Sequence, residues 1–149
     1  MVLPDGRMLP VTAVAIDPLN DLAVLLVKVG GLRAVPLGSS GELRVGDPVI
    51  ALGGPVVGET AGTLRATGAA TGGDLVTDAR ATGQPRAGLP LLNVRGEAVG
   101  LLTHTSEAGS GTALEFAVPI DRAKRLLRDL GPAAHGTPKA ASPDVTSDR

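Results

Sequence analysis

The segment TDARATGQPRAGLPLLNVRGEAVGLLT, residues 77 to 103, carries the clearest structural signal in the chain. It leads into two apolar runs, near residues 90 to 94 and 97 to 105, that are separated by Arg95 and Gly96. A glycine-containing pair between apolar runs favours a tight turn between antiparallel strands, because glycine adopts backbone angles that other residues avoid. The glycine- and proline-rich residues before the first run indicate a loop. The segment therefore predicts a loop that leads into a β-hairpin.

The rest of the chain repeats this pattern of short apolar runs separated by turn residues. Glycine and proline contribute 21 and 12 of the 149 residues, and they are spread between the runs rather than gathered in one tract. Closely spaced strands with tight turns indicate an all-β sandwich or barrel. Strands are predicted near residues 7–16, 21–29, 34–37, 47–54, 59–68, 74–78, 90–94, 97–105 and 113–118.

The segment from Ile120 to Leu130 has the periodicity of an amphipathic helix. Asp121 in its first turn and Gly131 just beyond its last turn are residues that helix ends favour. The expected buried face consists of Ile120, Ala123, Leu126, Leu127 and Leu130, and the expected outward face of Arg122, Lys124, Arg125 and Arg128. Residues 132 to 149 lose all periodicity and are predicted to form a disordered tail.

The composition favours one globular domain without a nucleic-acid, metal or cofactor site. Hydrophobic residues make up 43% of the chain and charged residues 19%. Phe116 is the single aromatic residue, so we expect an aliphatic core. A net charge of -1 with scattered basic residues provides no basic surface for a nucleic acid. The chain has no cysteine, and His104 and His135 match no recognised ligand spacing, so no metal or other cofactor is expected.

Six short motifs, in their order and spacing, resemble the protease domain of the HtrA/Deg family of trypsin-like serine proteases. The motifs are DGR (5–7), DLAVLLVKV (21–29), LRVGDPVIALGGP (43–55), TDA (77–79), GLPLLNVRGEAVGLLT (88–103) and FAVPID (116–121). The resemblance covers about residues 1 to 131. It implies an all-β, trypsin-like fold of two six-stranded β-barrels, with the active site in the cleft between them.

The family's catalytic histidine precedes the segment that matches DGR, so the resemblance implies that the first barrel is only partly present. An incomplete barrel leaves strand edges unpaired, and residues 2–29 are therefore expected to be the least stable region unless a partner strand completes them. The implied organisation is a first-barrel remnant at 1–33, a complete second barrel with the helix at 34–131, and the tail at 132–149.

Proteolysis by this family requires a serine, a histidine, an aspartate that orients the histidine, and backbone N–H donors for the oxyanion. The resemblance places Asp21 at the position of the catalytic aspartate, where it is vestigial without a histidine. Ala87, three residues before Pro90, takes the position of the nucleophile. Pro85 takes the position of an oxyanion donor, and proline has no N–H to donate.

No other residue of the nucleophile loop replaces the missing serine. The chain has no serine between Ser40 and Ser106, and Thr82 is the one hydroxyl residue between positions 78 and 102. A threonine there would still require a base.

Three residues are predicted to contact a substrate. Gly88 keeps the glycine that follows the nucleophile position, and Thr103 and His104 lie in the strand that matches the wall of the family's substrate cleft. For His104 the simpler interpretation is a partly exposed polar residue at a strand end.

Location and function stay open at this level. The start MVLPDGRMLP lacks the features of a signal peptide, and no apolar run reaches the roughly 20 residues that span a bilayer, which predicts an unexported protein without a membrane span. Members of the family are commonly periplasmic or extracytoplasmic.

The first functional hypothesis is a catalytically inactive homologue that binds extended peptides or unfolded protein. The alternatives are a regulatory protein completed by a strand from a partner, and an active endopeptidase of protein quality control.

Overall fold

The computed structural model describes residues 2–3, 6–53, 58–80, 87–107 and 113–130. The predictions for Thr82, Pro85, His135 and the tail at 132–149 concern residues outside these ranges. The strands are β1 (Val11–Asp17), β2 (Leu22–Val27), β3 (Pro48–Ala51), β4 (Thr60–Ala66), β5 (Leu75–Thr77), β6 (Pro90–Asn93), β7 (Ala98–Glu107) and β8 (Ala113–Pro119). They are followed by the helix α1 (Ile120–Asp129), and short 3-10 turns lie at Ser40–Glu42 and Ala69–Thr71.

Strands β3 to β8 form a closed antiparallel barrel in the order β3–β4–β5–β8–β7–β6, and β6 pairs with β3 to close it. The β6–β7 hairpin has the predicted turn. The side-chain oxygen of Asn93 accepts hydrogen bonds from the backbone N–H groups of Arg95 and Glu97, at 2.9 and 3.0 Å. The predicted all-β, trypsin-like barrel with a C-terminal helix is thereby confirmed.

Aliphatic side chains fill the interior of the barrel. Consecutive residues of a strand point to opposite faces, so alternate positions supply the core. The largest of the fully buried apolar side chains are Leu64, Leu75, Leu91, Leu102, Val49 and Val99. Phe116 is only partly buried and lies outside this core cluster, so the described core is aliphatic, as the composition predicts.

The predicted strand at residues 34–37 is wrong. Leu37 forms only an isolated parallel bridge with Ala98, and the Pro36 carbonyl accepts a hydrogen bond from the Ala98 N–H at 2.8 Å. Proline has no N–H with which to continue a ladder, so the pairing ends after this contact.

β1 and β2 form a separate two-stranded antiparallel sheet. β1 begins at Val11, not at the predicted residue 7, because Pro10 immediately precedes it and interrupts the extended pairing. A shift in register between Ala13 and Ala15 marks a β-bulge. Among the described strands, neither β1 nor β2 pairs with any strand except the other.

The helix α1 covers Ile120–Asp129, which confirms the predicted helix. The prediction that Arg122 and Lys124 face outward is wrong, because both side chains are largely buried. Arg122 forms an ion pair with Asp74 at 2.8 Å, and the Lys124 ammonium donates a hydrogen bond to the carbonyl oxygen of Gly38. These two basic side chains therefore attach the helix to the barrel.

Ser40, from a distant part of the chain, stabilises the start of α1 with hydrogen bonds. The helix begins after Pro119, which supplies no side-chain cap. The Ser40 hydroxyl donates to the Asp121 carboxylate at 2.7 Å and accepts from the Asp121 N–H at 3.3 Å, while the Gly41 N–H donates to the same carboxylate at 3.0 Å. Burial alone would raise the pKa of Asp121, but the hydrogen bonds from Ser40, Gly41 and Lys124 outweigh it and hold this pKa below its ordinary value.

Candidate functional site

Asp21 lies at the end of the loop that joins β1 to β2. Its φ of 51° is in the left-handed region, which aspartate tolerates better than most residues. The Asp17 carboxylate stabilises the loop by accepting hydrogen bonds from the Asn20 side-chain amide at 2.6 Å and the Asn20 backbone N–H at 3.2 Å. The side-chain hydrogen bond is the main reason that the pKa of Asp17 is lowered. Asp21 itself is exposed.

A small polar cavity of ≈170 Å³ joins this loop to the barrel. We call it the cleft cavity. It is lined by Leu19, Asn20, Asp21, Asp74, Thr103, His104, Val118 and Arg122. The fold therefore brings three of the predicted site residues, Asp21, Thr103 and His104, to one cavity from distant parts of the sequence. Ala87 and Gly88 do not line it.

A β-bulge in β7 positions Thr103 and His104. The register with β8 shifts between Leu102 and His104, which leaves Thr103 as the extra residue. The Thr103 hydroxyl donates to the Phe116 carbonyl oxygen at 3.2 Å and lies 3.0 Å from His104 Nδ1. The imidazole stacks on the Phe116 ring with a centroid distance of 4.6 Å and an interplanar angle of 11°. The side chain of His104 is thus held from two sides, although it is exposed.

The Asp74–Arg122 ion pair forms part of the cavity wall. The Arg122 guanidinium donates to Asp74 Oδ1 at 2.8 Å and to the Gly72 carbonyl oxygen at 3.2 Å. Arg122 lines the cleft cavity together with Asn20 and Asp21, so it lies close to the β1–β2 loop. The sequence interpretation missed this pair, because its two residues are 48 positions apart and neither belongs to a motif.

The residues at the predicted nucleophile position extend the β6–β7 hairpin. Ala87 is exposed in a turn, and Gly88 has a φ of 84°. The Gly88 N–H donates to the Leu102 carbonyl oxygen at 2.7 Å, and the Leu102 N–H donates to the Leu89 carbonyl oxygen at 2.8 Å. The side chain of Leu89 packs against the barrel core. Pro85, the predicted oxyanion position, lies outside the described residues.

The TDA motif anchors the strand that precedes the nucleophile loop. The buried Thr77 hydroxyl donates to the Thr63 carbonyl oxygen at 2.8 Å and accepts from the Ala79 N–H at 3.0 Å. The Asp78 carboxylate accepts from the Thr63 N–H at 2.6 Å and lies 3.5 Å from the Arg65 guanidinium. These contacts tie β5 to β4, so the motif has a structural role here that the sequence interpretation did not assign.

Among the described residues, β7 is paired along one of its edges only as far as Leu102, next to the cleft cavity. On one side β7 pairs with β8 as far as Glu107. On the other side β6 pairs with β7 as far as Leu101, and the hydrogen bonds of Leu102 with Gly88 and Leu89 continue this pairing by one residue. An extended strand with an incompletely paired edge can accept a further strand.

The described residues contain neither a cluster of metal-binding side chains nor a membrane-spanning helix. The residues that the structure describes contain no group of three or more histidine, cysteine, aspartate or glutamate side chains that could hold a metal ion. No helix within the described ranges has the length and apolar character needed to cross a membrane.

The comparisons with known proteins agree on one family. The family described as "Trypsin-like peptidase domain" matches residues 1–101. Serine protease PepD of Mycobacterium tuberculosis is 34% identical over 168 residues, which cover 97% of this chain and 36% of that protein. The mitochondrial serine protease HTRA2 of Drosophila pseudoobscura pseudoobscura is 39% identical over 84% of this chain and 31% of that protein.

A cyanobacterial relative gives the same result. Putative serine protease HhoA of Synechocystis is 35% identical over 92% of this chain and 37% of that protein. The chain therefore spans about a third of the length of the curated relatives that it matches.

Proposed function

The chain belongs to the HtrA/Deg family of trypsin-like serine proteases, and from this premise we propose that it binds extended segments of unfolded protein without hydrolysing them. The observation that carries the proposal is that Ala87 stands three residues before Pro90, where the family resemblance places the nucleophile. A methyl group can neither attack a carbonyl carbon nor carry an acyl group. No other alignment of the loop supplies a serine or cysteine nucleophile, because the chain has no serine between Ser40 and Ser106 and no cysteine at all.

The backbone next to Ala87 supports the same proposal. A serine protease stabilises the developing oxyanion with free backbone N–H groups, and the loss of one donor typically costs about 10² to 10³ in rate. Pro85 has no N–H at the position of one donor.

Binding is proposed to use the part of β7 beside the cleft cavity where pairing with the described residues of the β6 side has ended. An extended peptide that lies along β7 at Thr103 and His104 would contact these two side chains, which the bulge and the Phe116 ring hold in place. Backbone pairing supplies affinity for many sequences, and the adjacent side chains supply preference. Asp21 adds an exposed carboxylate on the opposite side of the cavity.

An active endopeptidase is the second candidate, and the names of the relatives favour it. PepD, HTRA2 and HhoA are each named as serine proteases, the last as a putative one. Their activity belongs to proteins about three times as long as this chain. For this candidate to hold, a group other than Ala87 must act as the nucleophile.

A combined binding and cleavage assay separates the two candidates. Fluorescently labelled casein, an unfolded protein, is titrated with the purified chain while anisotropy reports binding, and the same samples are followed by mass spectrometry. We expect saturable binding and no time-dependent fragments. Fragments that accumulate with time would contradict the proposal, and so would the absence of binding.

Variants locate the binding surface. His104→Ala removes an exposed side chain of the cleft cavity and should weaken casein binding about fivefold, equivalent to about 1 kcal/mol. The matched control is Val45→Ala, an exposed residue in the turn before β3, which should leave the affinity unchanged. Equal affinities for the two variants would place the peptide elsewhere on the molecule.

A further inference from the structure

The cleft cavity carries one negative charge that no cation of its wall balances. Arg122 is the one arginine or lysine that lines the cavity, and its guanidinium is already paired with Asp74 at 2.8 Å and donates to the Gly72 carbonyl oxygen as well. Asp21 is exposed and forms no hydrogen bond or ion pair with another of the described residues. We propose, on the basis of the peptide binding proposed above, that the cleft cavity takes a basic side chain, lysine or arginine, of the bound segment.

The hydrogen bonds of Thr103 give His104 a matching role. A hydroxyl group has one proton, and Thr103 donates it to the Phe116 carbonyl oxygen at 3.2 Å. The contact of 3.0 Å between Thr103 Oγ1 and His104 Nδ1 is then a hydrogen bond only when Nδ1 carries the proton of the imidazole. In the neutral ring Nε2 is therefore an acceptor. His104 and Asp21 both bring acceptors to the cavity, which favours a ligand group that donates hydrogen bonds.

The size and the apolar part of the wall fit one long side chain. The volume of ≈170 Å³ is below the roughly 300 to 1,000 Å³ of pockets that hold whole small molecules. Leu19 and Val118 supply apolar surface next to the polar groups. Lysine and arginine place an apolar stem on such a surface and keep the charged end at a polar group. A segment that lies along β7 at Thr103 and His104 brings its side chains beside this cavity.

Other classes of side chain fit the cavity less well. An acidic side chain would lie near two like charges, Asp21 and Asp74, while the single guanidinium is already paired. An apolar side chain would remove water from the Asp21 carboxylate without giving it a partner, which is costly. A basic side chain is the class that replaces this water with an ion pair.

Chemically modified casein tests the preference for a basic side chain. Labelled casein is compared with casein whose lysines are acetylated, casein whose arginines are blocked with butanedione, and casein that carries both modifications. We expect the doubly modified casein to bind this chain about fivefold more weakly, which is the size of effect expected for one exposed ion pair. The singly modified samples show which of the two bases contributes more.

The outcomes separate this inference from the proposed function. If casein binds equally well with and without both modifications, the preference for a basic side chain is wrong while the proposed function stands. If no casein sample binds, the proposed function is wrong as well.

Matched carboxylate variants test the location. Asp21→Asn removes the charge at a residue whose φ of 51° asparagine also tolerates, so the fold should be kept. It should weaken the binding of unmodified casein about fivefold and leave the binding of doubly modified casein unchanged, because the interaction has then lost both partners. Glu59→Gln removes the same charge at an exposed position outside the cavity and should bind both samples like the parent.

Two results with Asp21→Asn would overturn the proposal. Equal weakening for unmodified and doubly modified casein would show that the carboxylate does not act through a basic side chain of the ligand. A loss in the free energy of unfolding with unchanged casein binding would show that Asp21 is used within this chain.

Discussion

The closed barrel and the two-stranded sheet are built from similar residues but differ in how their strands are covered. Each strand of the barrel has two neighbours, and its large aliphatic side chains are sealed inside. β1 and β2 each have one described neighbour, and Ile16 and Leu25 are 69% and 54% exposed. Short apolar strands therefore give a stable core only where the sheet closes on itself.

This difference bears on dynamics as well as on stability. Regions with few buried apolar contacts open at a lower free energy than the global unfolding transition. The cleft cavity has one wall on the barrel, from β7, and the other on the β1–β2 loop. We therefore expect Asp21 to be held less firmly than Thr103 and His104.

The largest expected effect comes from truncating a core leucine. Leu64→Ala removes a fully buried side chain of the barrel and should lower the free energy of unfolding by about 2 to 5 kcal/mol. Leu25→Ala makes the same change in the two-stranded sheet, where it should cost about 0.5 kcal/mol or less because the side chain is largely exposed. Urea denaturation of both variants measures the comparison. Similar losses for the two would show that the sheet is as firmly packed as the barrel.

Gly62→Ala in β4 is expected to cause a smaller but still severe loss in the free energy of unfolding. A Cβ atom at Gly62 would collide with the Ala79 backbone nitrogen and would lie only 2.6 Å from the Ala79 Cα. Backbone atoms cannot rotate away, so we expect a cost of about 3 kcal/mol in the free energy of unfolding. Gly58→Ala is the control, because nothing lies within 4 Å of its Cβ position. A Gly62→Ala protein as stable as the control would show that β4 and β5 are not packed this closely.

Ser40→Ala should cost about 1 to 2 kcal/mol at neutral pH, because it removes both hydrogen bonds between Ser40 and Asp121. The lowered pKa of Asp121 sets the pH dependence. Its stabilising contribution is complete above the ordinary value of 3.8 and is lost as the pH falls through the lower value of the folded protein. The difference from the parent should therefore shrink in that acidic range.

Urea denaturation from neutral pH down to about pH 3 tests the Ser40 prediction. Ser39→Ala is the matched control, since the Ser39 side chain makes no cap hydrogen bond. If the loss of unfolding free energy in Ser40→Ala stayed constant with pH, the Ser40 hydroxyl would not stabilise the protein through the ionised form of Asp121.

The smallest expected change is a gain in the free energy of unfolding. Ala123→Leu extends an apolar side chain from α1 into the apolar cavity of ≈300 Å³ between α1 and β2 and should raise the free energy of unfolding by about 1 kcal/mol. Ala69→Leu, at an exposed position in a 3-10 turn, should leave this free energy unchanged. A destabilised Ala123→Leu protein would mean that the cavity is too narrow to be filled.

Local patterns in the sequence predicted the elements better than their boundaries. Apolar runs with turn residues gave the β6–β7 hairpin, and the spacing from Ile120 onward gave α1. The strand predicted at residues 34–37 was wrong because an apolar run does not reveal whether a partner edge is available, and Pro36 limits the pairing to one bridge. A local sequence pattern does not indicate which strands become neighbours in a sheet.

The sequence predicted only those residues of the candidate site that lie in the motifs. Motif positions placed Asp21, Thr103 and His104 in a cleft, and the structure brings these three residues to one cavity. The contacts that support them join distant residues: Ser40 and Asp121 are 81 positions apart. Such pairs leave no local pattern. The bulge at Thr103 is likewise set by pairing with β8 and not by the residues of β7 alone.

Whether Ala87 leaves the loop without a nucleophile can be measured by intact-protein mass spectrometry. The purified chain is incubated with an excess of a fluorophosphonate and, separately, with an activated ester, beside an active trypsin-like protease as a positive control. We expect the protease to gain the mass of one adduct and this chain to keep its mass with both reagents. A stoichiometric adduct at a single residue of this chain would show that it carries a reactive nucleophile after all.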